Sequence, residues 1–81
     1  MTQLTLYVHG ITYIDRLRSI EQCIKNLSGI VSVKGTLPKG KIIVKFQQSF
    51  VSSMEIINRI EGHGFEVVKK IQKDDGFETF N

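Results

Sequence analysis

The chain has 81 residues, of which 41% are hydrophobic and 23% charged, with a net charge of +3. That length allows one domain with one modest core, and the composition is too apolar for a disordered chain. Its single cysteine, Cys23, excludes an internal disulfide and a cysteine-only metal site within one chain. No apolar run approaches the ~20 residues of a bilayer span.

In chain order, Leu4, Leu6 and Val8 alternate with polar neighbours, the period of a half-buried strand that Gly10 ends. Leu17, Ile20, Ile24 and Leu27 then recur at helical spacing on one face. Thr12 and Asp15 stand three apart as a candidate N-cap pair, and Gly29 is placed as the left-handed glycine that stops this helix. Ile30 to Lys34 is β-branched and reads as a second strand. Pro38-Lys39-Gly40 supplies turn chemistry, and Ile42, Val44 and Phe46 put one face of a third strand inward, forming a hairpin with the second.

Ser52 and Glu55 have the spacing of a capping box at the start of a second helix. Ile56, Ile57 and Ile60 give that helix its apolar face, and Gly62-His63-Gly64 closes it. Phe65 to Val68 is a short fourth strand, and the polar stretch from Lys69 reads as a tail in which Phe77 and Phe80 stand among acids. The expected organisation is a domain over residues 1–70 followed by a tail or linker over 71–81. The order β-α-β-β-α-β predicts an α+β, ferredoxin-like fold: a four-stranded antiparallel sheet with both helices on one face.

At Gly10-Ile11-Thr12-Tyr13-Ile14-Asp15-Arg16 the chain resembles the heavy-metal-associated domains of copper chaperones and copper-transporting P-type ATPases, which carry Gly-Met-Thr-Cys-x-x-Cys there. The register needs no gap. Gly10 and Thr12 match, Ile11 replaces the methionine, and Tyr13 and Arg16 stand where the family has its two cysteines. Ile20-Glu21, Gly29-Ile30, Gly40, Phe46, Val51-Ser52, Ile60-Glu61 and Gly64-Phe65 continue the similarity in order, over residues 4 to 68, while Gln47-Gln48 departs from the usual Asp-Pro.

The resemblance implies a Cu(I) site that this sequence has lost. Cu(I) is soft and takes paired thiolates. A phenol with a pKa of about 10 is a hard and mostly protonated ligand, and a guanidinium is a permanent cation. The expected function is therefore that of a regulatory or protein-interaction module, without cofactor. The vacated loop, Ile11, Thr12, Tyr13, Ile14 and Arg16 with Phe65, would carry the contact. Two accounts of its tip stand side by side: Tyr13 packs over Phe65 and plugs the site, or Ile11, Tyr13 and Ile14 form an apolar knob for a partner. Arg16 and Arg18 read as a solvated helix end, with contact to an acidic partner as the alternative.

The competing expectation is residual copper or zinc binding. Cys23 reads as a small buried hydrophobe on the shoulder of its helix, and the alternative makes it an exposed metal or redox thiol. His9 and His63 fall at the same end of the predicted sheet, where they could approach each other, but no third ligand is in view. A dimer could pool such ligands. No enzyme is expected, since no nucleophile–base pair and no Gly-rich phosphate loop is visible. Lys34, Lys39, Lys41, Lys45, Lys69, Lys70 and Lys73 are spread along the chain rather than clustered, and Tyr7 is the sole candidate for base stacking, so no nucleic-acid partner is expected. The expected partner is a protein or a neighbouring domain, met as a monomer or weak dimer. Met1 to Leu4 lacks the regions of a signal peptide. A cytoplasmic setting follows, or that of a cytosolic domain of a larger membrane protein, without membrane insertion.

Overall fold

A computed structural model describes residues 1–74. The elements are β1 (Thr2–His9), α1 (Ile14–Lys25), β2 (Ile30–Thr36), β3 (Lys41–Phe46), α2 (Ser53–Gly62) and β4 (Glu66–Asp74). All strand pairs are antiparallel, in the order β2-β3-β1-β4. The ferredoxin-like arrangement is the one the hydrophobic pattern predicts, because each strand offers one apolar face and each helix one apolar stripe.

The register sets Leu4 opposite Val44 and Leu6 opposite Ile42. Together with Val8 and Phe46 these side chains form the floor on which the helices rest. Leu17, Ile20 and Ile24 of α1 and Ile56, Ile57 and Ile60 of α2 close the core from above, with Ile11 and Val51 at its margins. Burying an aliphatic side chain of this size is worth about 1.5–3 kcal/mol. The close approach of α1 to β2 requires Gly35, where an added Cβ would lie 2.5 Å from Leu17 Cδ1.

The helix ends differ in how well local chemistry defines them. At α2 the capping box is present: Glu55 N–H donates to Ser52 Oγ at 3.1 Å, and Ser52 N–H donates to Glu55 Oε1 at 3.3 Å. At α1 the N-cap is Tyr13, with no side-chain cap, rather than the Thr12–Asp15 pair. The helix stops at Lys25 with Asn26 as C-cap. Gly29, at φ +86, therefore turns the chain into β2 and does not cap the helix.

The fourth strand is much longer than the sequence pattern suggests. Polar residues from Lys69 onward, expected in a tail, pair with β1 as far as Asp74. A register shift between Tyr7 and Val8 sets Tyr7 opposite Lys69 and Val8 opposite Val67. Val68 is the extra residue of this bulge, and it breaks the period-two signal where the sequence suggested that the strand ended. Phe77 and Phe80 lie outside the described residues.

Candidate functional site

The β1–α1 loop leaves the sheet at Gly10, whose φ of +96 favours glycine. A Cβ there would lie 3.9 Å from Phe65 Cδ1, so the loop passes directly beside the start of β4. Ile11 points inward and is 4% exposed. Tyr13 then takes an extended conformation, and its carbonyl accepts from Arg16 N–H at 3.1 Å and Leu17 N–H at 3.3 Å. The N-cap residue 13 and residue 16 of the first turn of α1 are thus joined through the backbone.

What fills this place is a cation on an aromatic ring. Arg16 Cζ lies 5.9 Å from the centroid of Phe65, within cation–π range. Phe65 is half-buried and packs on the core. Tyr13 does not cover it: its side chain is 70% exposed. The apolar knob also differs from its expected form, because Ile11 belongs to the core, leaving Tyr13 and the 49% exposed Ile14 at the tip. Thr12 is exposed beside them. As a donor set for Cu(I) the loop does not fit. Arg16 has no lone pair to give and carries a fixed positive charge, and the phenol of Tyr13 is a hard oxygen.

The other candidate ligands are regrouped. Cys23 Sγ lies 2.9 Å from His63 Nε2, a contact between α1 and the C-cap of α2. Cys23 is half-buried rather than an inert core residue. His9 is exposed and stands opposite Glu66 on β4. His63 thus has as its side-chain partner Cys23, 40 residues away in sequence. Position 23 on the shoulder of the α1 stripe is the only local hint of this contact, because a shoulder residue faces the neighbouring helix. Among the described residues, no group of three or more His, Cys, Asp and Glu converges as a metal site.

Comparison with known proteins places this arrangement. No protein-family profile matches the chain. It is 33% identical to the copper chaperone CopZ of Bacillus subtilis over 69 residues, covering 85% of this chain and 100% of CopZ. It is 37% identical over 62 residues to human copper-transporting ATPase 2, covering 76% of this chain but only 4% of that protein. A solved CopZ metallochaperone superposes with a TM-score of 0.78 at 27% identity, over 82% of this chain and 98% of the other. None of the described helices is long and apolar enough to cross a membrane. The chain belongs to the family of heavy-metal-associated domains found in copper chaperones and copper-transporting ATPases.

Proposed function

We propose that this chain is a non-catalytic protein-interaction module of a metal-transport system, in which the loop that coordinates metal in its relatives serves as a contact surface. One observation carries the reading. At the positions of the two thiolates, Arg16 is stacked on Phe65 while Tyr13 and the adjacent Ile14 face outward. Large apolar side chains held out by a buried neighbour, Ile11, are what a protein partner can cover. The partner is a second domain of the same kind, carried by a chaperone or by a copper-transporting ATPase, and the setting is the cytosolic side.

The test is a titration of the 15N-labelled chain with an isolated heavy-metal-associated domain of a copper-transporting ATPase. Amide shifts at residues 11–16 and 65, weakened roughly tenfold by Tyr13→Ala, support the reading, since a central aromatic at an interface is commonly worth more than 1 kcal/mol. Shifts confined to other surfaces would refute it.

The contact between Cys23 and His63 favours a second reading, residual binding of a soft metal through sulfur and nitrogen. Two ligands make a weak site, and a dimer would double them. A Cu(I) competition titration on the reduced protein separates the two readings. Uptake that disappears in Cys23→Ser supports the second; no uptake leaves Cys23 and His63 as an interhelical hydrogen bond.

A further inference from the structure

The lysines that look scattered along the sequence converge once the strands are paired. Alternation along β1 sends Leu4 and Leu6 to the core, so Gln3, Thr5 and Tyr7 face the side without helices. In register with Tyr7 stand Lys41 on one side and Lys69 on the other. Gln3 is likewise flanked by Lys45 and Lys73. Between these two rows Thr5 is flanked by Ile43 and Ile71, and Lys34 on β2 extends that row beside Ile43. Among the described residues the open face therefore carries two pairs of lysines with an apolar strip between them and no carboxylate in any of the three rows. Asp74 pairs with Thr2, one position outside the rows, and Glu66 stands opposite His9 at the other end of the sheet.

We infer that this face is a docking surface for an acidic amphipathic helix of a partner protein, lying across the strands. Dimensions and charge both point to that occupant. Lys69 and Lys73 are four residues apart, as are Lys41 and Lys45, so the two lysine rows are separated by about 13 Å at 3.3 Å per residue. A helix with its side chains is about 10–12 Å across. Its apolar ridge would rest on Ile43, Thr5 and Ile71, and carboxylates on its two flanks would meet one lysine row each. Ile71 is 39% exposed, an apolar side chain with no neighbour above it from the helical layer. Single-stranded nucleic acid fits less well. Among the described residues Tyr7 is the one aromatic on the face, and Lys69 Nζ lies over its ring at 5.8 Å, which leaves no open platform there for a base. The inference is independent of the Tyr13 loop, which lies at the end of the sheet rather than on this face.

The probe is a synthetic helical peptide of about three turns, with leucines along one stripe and glutamates on both flanks. It is titrated into the 15N-labelled full chain at about 50 mM salt, where exposed charges are only partly screened. Amide shifts centred on β1, β3 and β4 are expected, with affinity falling roughly tenfold in Lys45→Glu/Lys73→Glu, as removal of opposed charges predicts. Lys41→Glu/Lys69→Glu provides a second variant should the first disturb the fold, which its own amide spectrum reports. A peptide with serines in place of the leucines is expected to bind much more weakly. Absence of shifts on the open face would overturn the inference. So would equal binding of the serine peptide, of oligouridylate or of phosphatidylserine vesicles, each of which would reduce the face to a general anion-attracting patch.

Discussion

Arg16 and Tyr13 decide the chemistry of the loop, and the backbone around them supports a reversal. Tyr13 is the N-cap of α1 and Arg16 stands on its first turn, where N–H groups without a side-chain cap favour an anion such as a thiolate. The double variant Tyr13→Cys/Arg16→Cys is expected to bind one Cu(I) per chain in competition with a chromogenic chelator. The parent loop is expected to bind none. A silent double variant would mean that the loop has lost its geometry as well as its ligands. Gly40 is a different kind of single-residue constraint. Its φ is +67, a Cβ would approach Val8 O to 2.5 Å, and its carbonyl accepts from Val8 N–H at 2.9 Å. Gly40→Ala combines left-handed strain with a backbone clash and is expected to lower stability by about 2–4 kcal/mol, read from urea unfolding. The conformational need for Gly40 was visible in its turn sequence. The contact between Cys23 and His63 was not, since it depends on how two helices set 40 residues apart meet.

The elements differ in what makes them legible. α2 announces itself, because Ser52 and Glu55 satisfy orphan N–H groups through side chains that the sequence names. Ser52→Ala removes the half in which the hydroxyl accepts from Glu55 N–H, while the backbone N–H of residue 52 keeps Glu55 Oε1, and is expected to cost about 0.5–2 kcal/mol in urea unfolding. α1 carries no such cap, so its hydrophobic stripe was readable while both of its ends were misplaced. β4 is the clearest failure of pattern reading. Strand periodicity reports burial, and beyond Val68 the strand is held by pairing with β1, with Lys69, Lys70, Gln72 and Lys73 exposed. Truncation after Val68 separates the strand from the tail reading. Loss of the pairing between Thr2–Tyr7 and Lys69–Asp74 is expected to destabilise the chain by several kcal/mol, at about 0.5–1.5 kcal/mol net per ladder hydrogen bond. A dispensable tail would leave the unfolding midpoint where it was.

At the scale of the whole molecule, the extension of β4 also creates the charged face, because three of its outward positions complete rows begun on β3 and β1. Lysines on β3 and β4 sit two strands apart, about 9–10 Å, close to the Debye length at 0.1 M salt. Each such pair repels by about 0.4 kcal/mol in water-like surroundings. The fold tolerates this because the apolar core, shielded on the other side of the sheet, supplies far more. The sign of the effect is measurable. Added salt screens like charges, so the melting temperature is expected to rise between about 50 and 500 mM sodium chloride. Lys73→Glu turns a repulsive pair with Lys45 into an attractive one, and should raise stability by a few tenths of a kcal/mol while flattening the salt dependence. If the lysine rows exist to meet an acidic partner, the substitution that stabilises the free chain is also one that weakens docking. A face used only for solubility would show the stability gain with no loss of binding, and would have had little physical reason to keep every carboxylate out of its three central rows.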